Sequence, residues 1–310
     1  MTGRTLGKRT LGRTGIPVTR MGYGAMSLDS GRFAPVSPDQ AAAILTAVLD
    51  AGINFIDTSP DYGESEEFIG RFIAHRRSEF FLATKCGCPV VPGAGTQHVY
   101  TRENIVAAVE QSLRRMKTDH IDLLQFHGAP SPEALEHEGA IETLRDLQRQ
   151  GKVRFIGVSA VLPGLARHIA MGVFDAFQIP YSALQREHEG VITEAARAGG
   201  GTVIRGGAVR GAPAVDKEWA IRRLPEVSPE RPRTLWERAH LDDLLAGETR
   251  MAFTLRFTFS HPDLDTAIIG TANPDHLHSN IQALRKGPLP ADVLTEAKRR
   301  LDAADQAAAT

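Results

Sequence analysis

The chain has 310 residues, with 36 basic and 37 acidic side chains and a formal net charge of -1. Because charges of both signs are interspersed, the sequence contains no basic patch typical of nucleic-acid binding or of attraction to an anionic membrane. No apolar run approaches the ~18 to 20 residues that span a bilayer, and the N-terminus lacks the apolar core of a signal peptide. We therefore expect a cytoplasmic protein whose partner is a small molecule rather than nucleic acid or membrane, with its oligomeric state unknown.

The N-terminal region predicts a small element ahead of the first core strand. Residues 5–8 and 10–13 are similar to each other and lead into Gly15-Ile16-Pro17, a pattern typical of a short hairpin or plug. A helix is predicted next, since Ser37 fits an N-cap and Pro38 fits the first helical position.

From residue 53 onward, strands and helices alternate along the chain. The predicted strands cover residues 53–57, 80–85, 121–127, 153–159, 177–179, 202–204 and 266–269. The predicted helices cover residues 64–75, 102–116, 132–150, 162–171, 188–198, 249–259 and 274–284, and an Ala-rich amphipathic helix follows them. About eight such units predict an α/β fold, a single (β/α)8 TIM barrel domain over residues 1–310 with an N-terminal β-hairpin and a C-terminal extra helix.

Two features of the sequence bear on this fold. An open doubly wound sheet is less favoured than a barrel, because the Gly-x-Gly-x-x-Gly turn expected after its first strand is missing. The polar, Pro-rich stretch 212–232 interrupts the alternation and fits either a mobile loop over the site or an inert surface insertion.

Four reactive residues end or follow successive predicted strands. These residues are Asp57, Tyr62, Lys85 and His127. Taken singly, each has an ordinary structural explanation, such as a helix cap, a solvated lysine or a satisfied core histidine. In a barrel, however, side chains at the carboxyl ends of the strands converge on one mouth, so their joint placement predicts a catalytic site.

The chemistry of this set is that of an acid–base site. A free phenol has a pKa of roughly 10, and a neighbouring ammonium favours the phenolate and lowers that pKa. Lys85 can supply this charge to Tyr62, and Asp57 can hold the lysine in place. His127 can orient a carbonyl oxygen. The set suits reduction of a carbonyl by hydride, in which a cofactor does the difficult step.

The cysteines do not predict a metal site. Cys86 and Cys88 lie two residues apart and are the only cysteines of the chain. We expect neither a disulfide between them nor a zinc site, because no Cys/His cluster flanks them in the sequence.

The four reactive residues, in this order and in their sequence contexts, closely resemble the catalytic tetrad of the aldo-keto reductase family, in particular its bacterial and potassium-channel-beta-subunit-like branch. Four further segments are similar to the family's N-terminal hairpin, fifth strand, sixth strand and cofactor segment, namely residues 9–16, 151–159, 177–182 and 268–280. The resemblance implies a barrel enzyme that transfers a hydride between NADP(H), or alternatively NAD(H), and an aldehyde or ketone. It makes Tyr62 the general acid.

The resemblance also implies a cofactor site. Ser159 and Gln178 would bind the nicotinamide carboxamide, and Arg205 falls where many relatives have an aromatic ring under the nicotinamide. The segment after Gly270 lacks the Lys or Arg that relatives place at the 2′-phosphate of NADP, so we expect weak selectivity over NAD(H). The full set of implied cofactor residues is Gly24, Met26, Asp57, Ser159, Gln178, Arg205, Gly270, Thr271, His276 and Asn280.

Two other functions stay open at this point. Some relatives keep the fold and the cofactor but act as binding partners, so one alternative is a non-catalytic nicotinamide-binding redox sensor or regulatory subunit. The other is a Schiff-base lyase that uses Lys85, although Asp57 and Tyr62 favour a charged, non-nucleophilic lysine. The sequence identifies neither the substrate, which depends on loops, nor the physiological direction of the reaction.

Overall fold

The computed structural model describes residues 6–31, 35–90, 97–209 and 230–309. The strands are β1 (Lys8–Thr10), β2 (Pro17–Thr19), β3 (Met21–Gly24), β4 (Phe55–Asp57), β5 (Phe81–Cys86), β6 (Ile121–Phe126), β7 (Val153–Ser159), β8 (Ala176–Pro180), β9 (Gly201–Arg205) and β10 (Thr266–Ile269). The helices are α1 (Pro38–Asp50), α2 (Ser65–Phe72), α3 (Arg102–Met116), α4 (Pro132–His137), α5 (Ala140–Arg149), α6 (Gly164–Ala170), α7 (Glu189–Arg197), α8 (Glu230–Arg238), α9 (Arg250–Phe259), α10 (Pro274–Arg285) and α11 (Ala291–Ala309).

Strands β3 to β10 form a closed barrel. Every neighbouring pair is parallel, and β10 pairs with both β3 and β9, which joins the first and last strands of the barrel. Strands β1 and β2 pair antiparallel as a separate hairpin, and α11 is the extra helix near the C-terminus. The predicted (β/α)8 TIM barrel with its N-terminal hairpin and extra helix is confirmed.

Side chains inside the barrel change from apolar to polar towards the carboxyl ends of the strands. Alternate residues of a strand face the same side, so Phe81, Ala83 and Lys85 of β5 share a face. Phe81 and Ala83 belong to one apolar cluster with Leu123 of β6, and Gln125 lies two residues beyond Leu123. The floor of the barrel is therefore apolar, whereas polar groups gather at its mouth.

The hairpin closes the floor of the barrel. Leu11 and Val18 are fully buried and belong to the same apolar cluster as Phe55 and Phe81, the first residues of β4 and β5. Burial of these two side chains is the hydrophobic contribution that holds the hairpin against the barrel.

Backbone contacts also fix the hairpin to the last strands. Gly12 N–H donates to Asp265 Oδ2 at 3.1 Å, and the same oxygen accepts from Thr202 N–H at 3.0 Å. Gly12 has a φ of +42°, and a Cβ built on it would lie 2.1 Å from Gly201 N. Only glycine combines this conformation with so close an approach.

Some predicted helix boundaries are confirmed and others are wrong. The start of α1 is as predicted, since Ser37 Oγ accepts from Gln40 N–H at 3.2 Å and Pro38 is the first helical residue. The single helix predicted over 132–150 is wrong, because Gly139 adopts a φ of +57° between α4 and α5. The helix predicted over 64–75 ends at Phe72 and gives way to a 3-10 turn.

Within the described ranges, no helix combines the length and the apolar character needed to cross a membrane. Most of the stretch predicted as a mobile loop or an insertion, residues 212–229, lies outside the described residues, and α8 begins directly after it at Glu230.

Candidate active site

Asp57 and Lys85 form a buried ion pair at the mouth of the barrel. Asp57 is the last residue of β4, and Lys85 is the penultimate residue of the neighbouring β5. Lys85 Nζ donates to the two carboxylate oxygens at 2.9 and 2.7 Å and to Thr58 O at 2.9 Å. The side chains of Lys85 and Asp57 are 0% and 2% exposed, so the pair is shielded from water.

The surroundings of Lys85 keep its ammonium charged. Burial lowers the pKa of Lys85, but the negative charge of Asp57 and a further contribution from Tyr62 outweigh that effect, and the net direction is upward. Three acceptors take all three of its hydrogens. An amine in this state has no free electron pair to attack a carbonyl, which disfavours the Schiff-base alternative.

Tyr62 lies on the loop after β4, next to this ion pair. Lys85 Nζ is 5.4 Å from the centroid of the Tyr62 ring, so the buried ammonium lies beside the phenol. The His127 ring packs edge-on against Tyr62, with 6.2 Å between the ring centroids and 87° between the ring planes. The fold thus brings together all four residues of the predicted catalytic set.

The backbone of His127, the first residue after β6, is fixed on both sides. His127 N–H donates to Cys86 O at 3.0 Å, and Tyr100 Oη donates to His127 O at 2.5 Å. The imidazole contacts Cys88, whose Sγ lies 3.3 Å from His127 Nδ1. Burial raises the pKa of the Cys88 thiol to about 11, so this neighbour of the imidazole is a neutral thiol at neutral pH.

Gln125 contacts the site as well, although its sequence position did not predict a role for it. Gln125 Nε2, from β6, and Gln178 Nε2, from β8, each donate to Asp57 Oδ1 at 2.9 Å. Ser159 Oγ donates to Gln178 Oε1 at 3.1 Å. Asp57 therefore links the acid–base residues to the two residues predicted to hold the carboxamide. The available signal was an amide side chain two residues before His127, between the apolar residues Leu124 and Phe126.

Other predicted cofactor residues lie around the same mouth. Gly24 ends β3 and pairs with Asp57, Arg205 ends β9, and Gly270 directly follows β10. Met26 is half-buried in the turn after β3. A Cβ built on Gly270 would lie 2.6 Å from Gly24 O. The backbones of these two residues are therefore so close that a side chain at position 270 would clash with Gly24.

The start of α10 uses its polar groups locally. Asn273 N–H donates to Thr271 Oγ1 at 3.1 Å, and Asp275 N–H donates to Asn273 Oδ1 at 2.8 Å. Pro274, the first helical residue, has no N–H to offer. The carboxylate of Asp275 adds negative charge in the first turn, which opposes the binding of a phosphate there.

The two predicted cofactor residues on α10 differ in exposure. His276 is exposed in the first turn, whereas Asn280 lies one turn further along and is buried. Neither residue carries the permanent positive charge of Lys or Arg.

Comparison with known proteins identifies the family. The sequence model of the Aldo/keto reductase family matches residues 20–301. The chain belongs to this family. The matched region contains every predicted catalytic and cofactor residue.

Individual aldo/keto reductases are similar over different shares of the chain. The "Uncharacterized oxidoreductase YqkF" of Bacillus subtilis (strain 168) is 27% identical over 290 residues, which cover 89% of this chain and 90% of that protein. The "Aldo-keto reductase yakc" of Schizosaccharomyces pombe, whose name specifies NADP(+), is 32% identical over 187 residues, 58% of this chain and 54% of that protein. The structure of "aldo-keto reductase AKR11C1 from Bacillus halodurans (holo form)" superimposes with a TM-score of 0.80 at 27% identity, covering 95% of this chain and 96% of that chain.

These comparisons make the chain an enzyme, an oxidoreductase of a family that acts on small carbonyl compounds with a nicotinamide cofactor. They give no support to the non-catalytic alternative.

The residues at the mouth of this aldo/keto reductase fit such a cofactor. Ser159 Oγ keeps an acceptor position, and Gln178 keeps one amide hydrogen and one lone pair of Oε1 beyond the bonds described above. These are the donor and acceptor groups that a carboxamide requires.

Proposed function

We propose that this aldo/keto reductase transfers a hydride between NADP(H) and the carbonyl group of an aldehyde or ketone, with Tyr62 as the general acid. The observation that carries the proposal is the phenol of Tyr62 beside a buried ammonium, which Asp57 holds through both carboxylate oxygens. This arrangement supplies a proton in a site from which water is largely excluded, where electrostatic effects are strong.

The proton transfer follows from the positions of Tyr62 and Lys85. During reduction, Tyr62 Oη gives its proton to the carbonyl oxygen as negative charge develops on that oxygen. The ammonium of Lys85 stabilises the phenolate that remains. In the direction of oxidation, the phenolate accepts the proton of the alcohol.

The other residues of the site position this pair. Asp57 keeps Lys85 fixed and charged, and the amides of Gln125 and Gln178 fix the Asp57 carboxylate in turn. His127, edge-on to Tyr62, orients the carbonyl oxygen towards the phenol. The nicotinamide cofactor, when bound, supplies the hydride.

We also propose a cofactor assignment. Ser159 and Gln178 hold the carboxamide, and the remaining cofactor residues are Gly24, Met26, Asp57, Arg205, Gly270, Thr271, His276 and Asn280. A relative named for NADP(+) supports NADP(H). The capped, acidic first turn of α10 supports weak selectivity, so we expect NADH to be accepted as well.

A titration tests the reaction class and the coenzyme together. The purified protein is titrated with NADPH and, separately, with NADH, following its tryptophan fluorescence, and 4-nitrobenzaldehyde is then added. We expect binding of both coenzymes, followed by their oxidation at comparable catalytic efficiency. A preference for NADPH above about a hundredfold, which is about 2.8 kcal/mol, would contradict weak selectivity. Binding without oxidation would favour the redox-sensor alternative.

The role of Tyr62 is tested by Tyr62→Phe, which keeps the ring and removes the proton. We expect kcat to fall by roughly 10²- to 10⁴-fold, the range for loss of a general acid, while NADPH binding is nearly unchanged. Tyr181→Phe is the matched control, because Tyr181 packs against Phe257 and His261 in the outer core. Turnover of Tyr62→Phe within a few-fold of the original protein would show that Tyr62 is not the acid.

A further inference from the structure

Three metal-ligating side chains meet beside the carbonyl site. The ligand atoms of Cys88, His98 and His127 all lie within 4.8 Å of one another. Cys88 Sγ is 3.3 Å from His127 Nδ1, and the rings of His98 and His127 are 4.9 Å apart between centroids at an angle of 85°. The sequence did not predict this grouping, because His98 follows Cys88 by 10 residues and His127 follows it by 39, with no close Cys/His spacing among them.

Buried hydrogen bonds hold the backbone on both sides of this cluster. Asn104, which is 1% exposed, donates through Nδ2 to Cys88 O at 3.0 Å and to Val99 O at 2.9 Å. Val99 N–H donates to Gly87 O at 2.8 Å. One side chain of α3 therefore ties the segment that carries Cys88 to the segment that carries His98, so the three ligands are brought together by the fold.

The donor set and the spacing fit a zinc ion. One thiolate and two imidazoles are typical Zn²⁺ ligands, with Zn–S near 2.3 Å and Zn–N near 2.0 to 2.1 Å. Tetrahedral geometry at these bond lengths places sulfur and nitrogen about 3.5 Å apart, close to the 3.3 Å between Cys88 Sγ and His127 Nδ1. Cys88 is buried and His98 is exposed, so rotation of the His98 side chain can bring its ring nitrogen to bonding distance.

We propose that Cys88, His98 and His127 form a Zn²⁺ site at the mouth of the barrel, and that occupancy of this site inhibits the reductase. On binding, the Cys88 thiol releases its proton to solvent, and the resulting thiolate and the two imidazoles each give an electron pair to the metal. The metal on Nδ1 then fixes the His127 ring in the position set by Cys88 and His98, so that the ring can no longer adjust to the carbonyl oxygen. The inhibition rests on the proposed function, whereas binding of the metal does not.

Binding is measured first, without reference to turnover. The full chain is titrated with ZnCl₂ by calorimetry and with Co²⁺ by absorption spectroscopy. We expect one equivalent of Zn²⁺ and a cobalt–thiolate charge-transfer band. Cys88→Ala should abolish the band, and His98→Ala should weaken zinc binding at least ~10-fold, since even partners that only orient a ligand contribute ~10- to 100-fold.

Two control variants separate the cluster from other thiols and imidazoles. Cys86→Ala removes the other cysteine, and His120→Ala removes a histidine at the opposite end of β6. Both should keep the stoichiometry and the cobalt band. No binding to the original protein, or unchanged binding in Cys88→Ala, would overturn the site.

Turnover is measured second, with each variant compared with its own rate in the absence of metal. We expect Zn²⁺ to raise KM for the aldehyde, EDTA to reverse the effect, and Cys88→Ala to be insensitive. Zinc that binds without slowing turnover, or that accelerates it, would overturn the inhibitory role. If the protein reduces no aldehyde, the proposed function fails while the binding titration still decides the site.

Discussion

Asp57 and Lys85 are buried charges that stabilise the protein only as a pair. Each is almost fully shielded from water, and the two lie within hydrogen-bonding distance. Removing charges from water is costly, and their mutual attraction offsets this cost only while both are present. The intact pair therefore adds little net stability, but the loss of either charge strongly destabilises the protein.

A double variant tests this dependence. Lys85→Met leaves the Asp57 carboxylate buried without a cation, and we expect the free energy of unfolding to fall by about 3 to 5 kcal/mol. Asp57→Asn combined with Lys85→Met removes both charges and should cost less than Lys85→Met alone. Urea denaturation at neutral pH measures both values. A double variant as unstable as the single variant would contradict the interpretation.

At the scale of single elements, Glu66 connects α2 to its neighbours through a buried carboxylate. Glu66 Oε1 accepts from Thr84 Oγ1 of β5 at 2.8 Å and from Ser112 Oγ of α3 at 2.7 Å. Burial raises the pKa of Glu66 above its ordinary value of 4.5. The folded protein therefore keeps this proton at pH values where the unfolded chain has already lost it.

Arg115 Nη1 lies 3.6 Å from Glu66 Oε2, but the effect of burial on the pKa is larger. The sign of the resulting pH dependence is therefore opposite to that of a carboxylate whose pKa is lowered by its partners. Because the folded state binds more protons in this window, the contribution of Glu66 to stability falls as pH rises from 4.5 through its folded pKa. Glu66→Gln should remove this decline, as measured by urea denaturation at a series of pH values. Glu67→Gln is the control, since the Glu67 side chain is 61% exposed. Equal pH dependence in the two variants would contradict the role of Glu66.

A pair of glycine substitutions tests the docking of the hairpin. Gly12→Ala places a Cβ 2.1 Å from Gly201 N, whereas Gly15, with a φ of +70°, has open space around the same position. Gly15→Ala should cost about 1 to 2 kcal/mol, the strain of the left-handed conformation alone. Gly12→Ala should cost clearly more, because the hairpin must also move away from β9. Equal losses in urea denaturation would show that the close approach is unimportant.

The sequence predicted elements well where one local signal decided them. The helix over 102–116 and the strands over 153–159 and 266–269 agree with α3, β7 and β10. It failed at Gly139, because apolar periodicity continues through the glycine and does not report its positive φ. For the site, strand-end positions were enough to place Asp57 and Lys85 in one group. The contacts of Gln125, Cys88 and His98 depend on strand register and on a loop held by α3, neither of which the sequence shows.

At the scale of the whole molecule, buried neutral histidines make the folded state less stable at low pH. His188 Nε2 accepts from Leu162 N–H at 3.0 Å, and His261 Nδ1 accepts from Asp263 N–H at 3.2 Å. Burial lowers the pKa of both histidines below the ordinary value of 6.5. Protonation would replace each acceptor by a second donor facing a backbone N–H.

These histidines lower the free energy of unfolding as the solution becomes acidic. Because their folded pKa values are lowered, the stability that they contribute is complete above pH 6.5 and is lost as pH falls from 6.5 through those values. His261→Asn keeps an acceptor for Asp263 N–H but does not titrate, so the free energy of unfolding should depend less on pH below 6.5. The same pH dependence of the free energy of unfolding in this variant and in the original protein would show that His261 does not contribute to the loss of stability at low pH.

The hairpin that closes the barrel floor also has a consequence for biosynthesis. Gly12 leaves the ribosome early, but its partner Asp265 is made 253 residues later, on the order of 10 to 50 s at usual rates of translation. Throughout that interval, Leu11 and Val18 have no complete barrel to cover, and the barrel itself has no final strand to close it. Leu11 and Val18 are therefore synthesised long before the barrel floor that buries them is complete. Ribosome-bound chains stalled before β10 should accordingly be cleaved by protease within the hairpin, whereas released chains should resist cleavage there.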